Sequence, residues 1–287
     1  MGRVHMKKLT IGMVTYDDYH GVYFSIQAIR AYHKEILNDV EFVIVDNNPS
    51  GSHGADVKKL CNSIKEPHQY IPFTEYNSTS VRSKIFEYAK TPYVLVMDCH
   101  ILFEQGALKK LIDFYESGKD TGNLLQGPML YDNLVNFATH FDLQWRSHMW
   151  GIWGTDKRAE NPEAEPFEIP AQGLGCFSCR KDSWLGFNPL FRGFGGEEGY
   201  IHEKYRKAGK KTLCLPFLRW IHRFGRPDGV KYPLTLENKV RNYFIGFEEL
   251  KLDTSPIYEH FLKESKQTHE TLKKWHDDIK KSMCIAE

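Results

Sequence analysis

Apolar residues in the first half of the chain alternate between short β-branched runs and stretches of helical spacing. Short apolar runs that end at Gly, Asn or Pro are typical of buried strands, whereas apolar residues three and four positions apart are typical of helices. These patterns predict four strands, over 9–16, 40–45, 69–73 and 93–97, and four helices, over 23–37, 53–64, 80–89 and 105–117. Because strands and helices alternate with short connections, we expect an α/β fold with a parallel sheet.

The second half of the chain is less regular. The same patterns predict strands over 124–130, 135–145, 171–179 and 212–218, and helices over 196–208, 236–250 and 255–283. Two segments, 148–170 and 219–231, lack periodicity, and we expect both to be loops. The first is long and carries several Gly and Pro residues, so we expect it to be mobile.

Composition narrows the function classes. The 287 residues include 38 Lys and Arg against 37 Asp and Glu, a formal net charge of +1. A general polyanion binder usually carries a clear basic excess, so this balance argues against one. No apolar run approaches the ~18 residues that a membrane span needs, and the first residues show no secretory pattern. The six cysteines are thinly spread, which favours a reducing compartment; we expect Cys176 and Cys179 to be buried strand residues rather than metal ligands.

The strongest local signal is the tripeptide Asp98-Cys99-His100, directly after the predicted strand 93–97. Ligands of open α/β sheets bind outside the carboxyl ends of the strands. Residues two apart in an extended segment project to the same face, so Asp98 and His100 could reach one cation. A carboxylate with an imidazole suits Mn²⁺ or Zn²⁺ better than Ca²⁺. The alternative is a pair of ordinary turn residues.

Three further features lie at comparable positions. Asp46 ends the second strand and could accept hydrogen bonds from a base or ribose, or could form an Asx turn. The segment 193–198 is rich in glycine, which lets a ligand approach the backbone closely. It ends in two glutamates before a predicted helix, and the alternative is that these carboxylates only interact with the helix dipole. His222 and Arg223 follow a strand and could supply a third metal ligand and a phosphate contact, with a satisfied polar residue as the alternative for His222.

Taken in order, these motifs resemble those of the GT-A glycosyltransferases. The motifs are 43–48 (VIVDNN), 98–100 (DCH), 195–198 (GGEE) and 221–223 (IHR). The DxH form, in place of the commoner DxD, looks like the polypeptide N-acetylgalactosaminyltransferases. Segments 141–145, 169–177 and 237–250 follow the order of that family as well, so the resemblance covers about residues 8 to 250.

The resemblance implies a nucleotide-sugar donor, with a UDP-sugar expected, and Mn²⁺ or another divalent cation held by Asp98, His100 and His222. It also implies a set of substrate-binding residues around the nucleoside, the sugar and the diphosphate: Thr15, Tyr16, Asp46, Arg82, Gly195, Gly196, Trp220, Arg223 and Arg226. For Arg82 the alternative is a surface position on its helix.

One departure bears on the chemistry. The polypeptide transferases have Asn where Glu198 stands, whereas inverting GT-A enzymes place their base there. Glu198 could therefore deprotonate an acceptor hydroxyl, with Glu197 orienting the acceptor or sugar. The stereochemistry of transfer stays open at this point, and so does the acceptor, which could be a glycan, a protein or a modified nucleobase.

The resemblance also predicts the organisation of the chain. We expect a single catalytic domain over 6–250 and a C-terminal helical appendage over 251–287 whose balanced charges indicate a solvated outer face. Without an anchor or lectin domain, we expect a cytoplasmic bacterial or viral enzyme. Two alternatives remain, a nucleotidyltransferase and a non-catalytic sugar-nucleotide binder. The first is disfavoured because the loop after the first strand lacks the Gly-rich, Arg- or Lys-bearing sequence of those enzymes.

Overall fold

The computed structural model describes residues 6–226 and 229–286. Its centre is an eight-stranded mixed sheet with the order β11-β13-β6-β12-β4-β1-β2-β3. In chain order these strands are β1 (Leu9–Thr15), β2 (Val40–Asp46), β3 (His68–Pro72), β4 (Tyr93–Asp98), β6 (Leu124–Gln126), β11 (Phe167–Glu168), β12 (Cys176–Arg180) and β13 (Thr212–Cys214). The first four strands are parallel, as the sequence predicts, and β12 runs antiparallel to β4. Every residue of β2 is buried, as expected for a parallel strand covered on both faces.

The register of the parallel strands brings their carboxyl ends together. Val14 pairs with Val45 on one side and with Asp98 on the other, and Thr15 pairs with Asp46. Thr15, Asp46 and Asp98 therefore lie at the same edge of the sheet, where open α/β sheets bind their ligands.

Two smaller β structures extend this edge. A four-stranded sheet has the order β5-β14-β7-β8, and β9 forms a hairpin with β10. Their bounds are β5 (Ile101–Phe103), β7 (Met129–Leu130), β8 (Phe137–Ala138), β9 (His140–Arg146), β10 (Met149–Gly154) and β14 (Trp220–His222). In this sheet His222 pairs with Ile101, so β14 is fixed beside the segment that follows β4.

Eight helices complete the described fold: α1 (Tyr19–Tyr32), α2 (Gly54–Ser63), α3 (Ser83–Tyr88), α4 (Ala107–Glu116), α5 (Glu197–Lys207), α6 (Leu236–Glu249), α7 (Ser255–Glu264) and α8 (His269–Ala286). Apolar residues of α1, α2 and α4 pack in one core cluster with the central sheet. Those of α3 and α5 to α8 pack in a second cluster. Among the described residues, no helix combines the length and the apolar character that crossing a membrane requires.

The prediction of a loop over 148–170 is wrong. The segment contains β10, a short 3₁₀ helix (Lys157–Glu160) and β11. A Cβ on Gly151 would lie 3.0 Å from the Phe141 ring, and one on Gly154 would lie 2.4 Å from His140 Nε2. These glycines let two strands approach closely, so they support the hairpin rather than end it.

Other boundaries also differ. The predicted strand 124–130 is divided between β6 and β7, and at the break a Cβ on Gly127 would meet the carbonyl oxygen of Leu218 at 1.8 Å. Within the predicted loop 219–231, residues 220–222 form β14, and residues 227–228 lie outside the described residues. The predicted strand 135–145 is divided between β8 and β9. Cys176 and Cys179 are buried on β12 and unbonded to each other, as expected.

The predicted single helix 255–283 is two helices, α7 and α8, with a break at 265–268. The sequence pattern predicts that the apolar side of this segment carries Phe261, Leu262, Leu272, Trp275 and Ile279. Phe261, Leu272 and Ile279 are buried in the second core cluster and Trp275 packs against it, but Leu262 is exposed. The His276 ring stacks on Phe244 of α6 with a centroid distance of 4.2 Å. The two helices therefore cover α6 and share its core, and the proposed division at residue 250 stays a prediction.

Candidate active site

Asp98, His100 and His222 converge at the carboxyl end of β4. One nitrogen or oxygen atom from each lies within 4.8 Å of the others. The Asp98 Oδ2 atom is 3.6 Å from His222 Nε2 and 3.9 Å from His100 Nε2. The ladder between β5 and β14 is responsible, because it places His222 beside the turn that carries His100.

Asp98 carries a negative charge at this position. Burial opposes its ionisation, but the Arg82 guanidinium and the two imidazoles hold its pKa well below the usual range. Arg82 Nη2 binds Asp98 Oδ1 at 2.6 Å. One carboxylate oxygen is thus held by Arg82, while the other faces the two histidines.

His100 is held from both sides of its ring. Its Nδ1 lies 3.1 Å from Asp18 Oδ2, and its Nε2 lies 2.7 Å from Arg226 Nη2. A guanidinium only donates hydrogen bonds, so Nε2 accepts and the ring proton belongs on Nδ1, facing Asp18. Burial lowers the pKa of His100, which favours this neutral form.

These donors fit a divalent metal ion. The neutral imidazole of His100 offers its Nε2 lone pair to the cationic Arg226 group at 2.7 Å, and the same nitrogen lies 3.9 Å from Asp98 Oδ2. A carboxylate oxygen with two imidazole nitrogens suits Mn²⁺, Fe²⁺ or Zn²⁺.

The two glutamates begin α5 after a glycine turn. Gly195 and Gly196 have φ of +97° and +92°, a region that only glycine enters freely. A Cβ on Gly196 would lie 3.0 Å from the Cβ of Asn242. Asn242 holds this turn from α6: its Nδ2 donates to the carbonyls of Arg192 and Gly195 at 2.8 Å, and its Oδ1 accepts from Arg192 N at 3.0 Å.

Glu197 and Glu198 face different surroundings. Glu197 is 1% exposed, and its Oε1 lies 3.7 Å from Arg82 Nη1. Glu198 lines a cavity that Asp98, His100 and His222, here called the candidate metal-ligating set, also line. Burial, followed by the neighbouring Glu197, raises the pKa of Glu198 to about 8. Of the two carboxyl groups, Glu198 is therefore the one positioned to exchange a proton with a bound molecule.

The cavity has a volume of about 690 Å³. Two glycines line it: a Cβ on Gly175 would lie 3.1 Å from the Trp220 ring and 3.4 Å from Asp98 Oδ2, and one on Gly173 would lie 3.2 Å from Trp153. Lining side chains with aromatic rings include Tyr16, Phe141, Trp153, Trp220, Phe224 and Tyr232.

The predicted substrate-binding residues divide into two groups. Those that line the cavity are Thr15, Tyr16, Trp220, Arg223 and Arg226. Those absent from its lining are Asp46, Arg82, Gly195 and Gly196, together with the predicted catalytic residue Glu197.

Asp46 has the geometry of the alternative interpretation. Its Oδ1 accepts from Asn48 N at 3.0 Å, which is an Asx turn, and its Oδ2 accepts from the Tyr70 hydroxyl at 2.8 Å. Both oxygens are thus engaged, and a nucleoside contact stays a prediction. For Arg82 the surface alternative is wrong: the side chain is buried between Asp98 and Glu197.

Sequence reasoning singled out neither Asp18 nor Asn242. Asp18 follows β1 and reads as an ordinary helix N-cap, and its partner His100 lies 82 residues further on. Asn242 lies within the segment that resembles the closing helix of the family, but an Asn inside a helical pattern gives no sign that it binds a distant turn.

The whole chain is similar in structure to solved glycosyltransferases. GalNAc-T7, solved with UDP, GalNAc and Mn²⁺, matches with a TM-score of 0.68 and 16% identity over 96% of this chain and 54% of its own. The Pyrobaculum calidifontis mannosyltransferase PcManGT, solved with GDP-Man and Mn²⁺, matches with a TM-score of 0.56 and 12% identity over 97% of this chain and 74% of its own. S. aureus TarS, solved with UDP-GlcNAc, matches with a TM-score of 0.54 and 12% identity over 95% of this chain and 71% of its own. This chain therefore spans about half the length of the GalNAc-T7 chain.

The fold is thus that of the GT-A glycosyltransferases, as the sequence motifs predict. The sequence gives a narrower assignment. The profile of the family described as Glycosyl transferase family 2 matches residues 10–183, and the chain belongs to that family. No curated protein matches the sequence.

Proposed function

We propose that this protein transfers a sugar from a nucleotide-sugar, with UDP as the nucleotide, to a hydroxyl group of an acceptor, and that it uses Mn²⁺ or a similar divalent cation. The observation that carries the proposal is the convergence of Asp98, His100 and His222 on a cavity that Glu198 also lines. The similar structures were solved with UDP, UDP-GlcNAc or GDP-Man, two of them with Mn²⁺, which supports a nucleotide-sugar donor with a metal ion.

We propose that the candidate metal-ligating set and the loop after β14 bind the nucleotide-sugar donor. Asp98, His100 and His222 would hold the cation, which when bound neutralises charge on a departing diphosphate. Arg223 and Arg226 line the same part of the cavity, and Arg226 already contacts His100. We propose that these arginines bind the diphosphate oxygens, for which a guanidinium is well suited.

The acceptor side belongs to Glu198. A general base must reach the hydroxyl it deprotonates and needs a pKa near the working pH. Glu198 lines the cavity, its pKa is raised to about 8, and Glu197 is buried against Arg82. We therefore assign the base to Glu198 and propose that Glu197, held by Arg82, positions the first turn of α5.

Thermal denaturation with a panel of UDP- and GDP-sugars, each with and without Mn²⁺, tests the donor assignment. A ligand that binds only the folded state raises the midpoint, by an amount equivalent to about 2.7 kcal/mol at a concentration 100 times its Kd. We expect a UDP-sugar to raise the midpoint only when Mn²⁺ is present. In His222→Ala, adding Mn²⁺ should no longer change the midpoint shift. His68→Ala is the matched control, because His68 lies on the edge strand β3 and does not line the cavity.

Unchanged Mn²⁺ and nucleotide affinity in His222→Ala would refute the ligand assignment. Binding without turnover across acceptors of all three predicted classes (glycan, protein and modified nucleobase) would favour a sugar-nucleotide binding protein instead. Cytoplasmic location also stays a prediction, to be tested by fractionating the native host cell.

A further inference from the structure

Asp18 uses its two carboxylate oxygens for different purposes. Oδ1 accepts a hydrogen bond from Gly21 N at 3.0 Å and so caps α1. Oδ2 lies 3.1 Å from His100 Nδ1 and is not needed for the cap. The side chain lines the same cavity as the candidate metal-ligating set. An N-cap requires only one acceptor oxygen, so the cap does not explain the second contact.

The contact defines the state of the His100 ring. Because Arg226 donates to Nε2, the single proton of the neutral ring is on Nδ1, and it is donated to Asp18 Oδ2. Without this acceptor the ring could turn over or place its proton on Nε2. Either change would remove the free Nε2 lone pair from the side of the ring where Arg226 and Asp98 lie.

We propose that Asp18 is a positioning residue for the metal site: it fixes the orientation and the Nδ1–H tautomer of His100, so that Nε2 is directed at the cation shared with Asp98 and His222. The inference rests on the proposed function of that site. Carboxylates that accept from the second nitrogen of a ligating histidine orient the ring and increase its basicity, and their loss typically weakens metal binding 10- to 100-fold.

A second arrangement of the same groups is less favourable. Asp18, Cys99 and His100 also bring their potential ligand atoms within 4.8 Å of one another. A metal bound there would need His100 Nδ1, which already faces the Asp18 carboxylate with its proton. It would also need the Cys99 sulfur, which lies 3.5 Å from the same Asp18 oxygen. The two arrangements use opposite nitrogens of one ring and are therefore distinguishable.

The test uses three variants of the full chain. Asp18→Ser keeps a good N-cap but has no second oxygen to reach His100, Asp18→Ala loses both contacts, and Asp18→Asn can serve one partner at a time. Mn²⁺ affinity is measured by the electron paramagnetic resonance signal of free Mn²⁺ during titration. We expect Asp18→Ser to bind Mn²⁺ 10- to 100-fold more weakly while melting within about a degree of the parent without metal, whereas Asp18→Ala melts lower.

A second measurement reports the ring itself and needs neither metal nor turnover. Nitrogen-15 NMR separates a protonated ring nitrogen from an unprotonated one, and the His100 signals are those that vanish in His100→Gln. We expect one Nδ1–H tautomer in the parent and a mixture in Asp18→Ser. Mn²⁺ affinity within twofold of the parent, or an unchanged tautomer, would overturn the proposal.

The two proposals fail in different ways. If His222→Ala leaves Mn²⁺ binding unchanged, the metal site itself is misassigned. If His222→Ala abolishes binding while Asp18→Ser does not weaken it, only the role of Asp18 is wrong. A stoichiometry of two Mn²⁺ per chain that falls to one in Asp18→Ser would instead support the second arrangement through Cys99 and overturn this one.

Discussion

Arg82 offers the most direct test of how the site is held together. It is the cation between Asp98, at 2.6 Å, and Glu197, at 3.7 Å, and it also donates to the carbonyl of Thr79 at 3.2 Å. Arg82→Met keeps much of the side-chain volume but removes the charge and the hydrogen bonds. Both carboxylates then lose the guanidinium that contacts them, in surroundings that penalise uncompensated charge.

The expected cost follows from burial. Removing one partner of a buried ion pair typically costs about 3–5 kcal/mol. With an unfolding entropy of roughly 2.1 cal/mol/K per residue, the 287 residues give about 0.6 kcal/mol/K, so the melting temperature should fall by about 5–8 °C. Differential scanning calorimetry without metal measures this fall.

Arg180 provides the matched control, because its pair with Asp182 at 2.8 Å is exposed, with side-chain exposures of 44% and 68%. Exposed pairs contribute at most about 1 kcal/mol, so Arg180→Met should lower the melting temperature by about 2 °C or less. Equal effects of the two substitutions would show that Arg82 does not compensate buried charge, and the proposed connection between Asp98 and Glu197 would be wrong.

Further predictions concern the base and the turn before it. Glu198→Gln should retain donor binding but lose transfer, and the parent's rate should rise with pH towards about 8 as Glu198 loses its proton. Because the pKa of Glu198 is raised in the folded state, the folded protein keeps this proton at pH values where the unfolded chain has lost it. The free energy of unfolding of the parent should therefore decline between about pH 4.5 and 8. Urea titrations should show a smaller decline for Glu198→Gln. Asn242→Ala removes three hydrogen bonds to the glycine turn and should cost about 2–3 kcal/mol by urea denaturation; a loss below 0.5 kcal/mol would contradict its role.

The sequence predicts the parts of this site that depend on local pattern. The buried runs of β2 and β4 are continuous and end at Asp46 and Asp98, so their position at one sheet edge follows from parallel pairing alone. The prediction that His222 lies near Asp98 comes instead from the order of motifs that resembles a known family. Periodicity could not supply it, because β14 has only three residues.

The parts that escaped prediction depend on contacts between distant segments. Gly151 and Gly154 read as loop residues, yet they serve to let the hairpin strands approach. Asp46 and Arg82 carry suitable chemical groups at suitable places, but only the structure shows that Tyr70 and Asn48 engage the first and that Asp98 and Glu197 enclose the second. A sequence pattern predicts the strand or helix on which a polar group lies. It does not predict which distant residue forms a hydrogen bond or ion pair with that group.

Arg82 also connects the two halves of the proposed chemistry. Its charge lowers the pKa of Asp98, which would bind the cation, and it acts in the same direction on Glu198, against the larger effects of burial and Glu197. A guanidinium keeps its charge at all relevant pH values, so it serves both carboxyl groups without titrating itself. The adjacent glutamates can then differ in role although they are identical in type: Glu197 is held against Arg82, and Glu198 is left facing the cavity with a pKa close to the working pH. If the proposed base assignment is right, the position of this one buried arginine determines which of the two glutamates is available as a base.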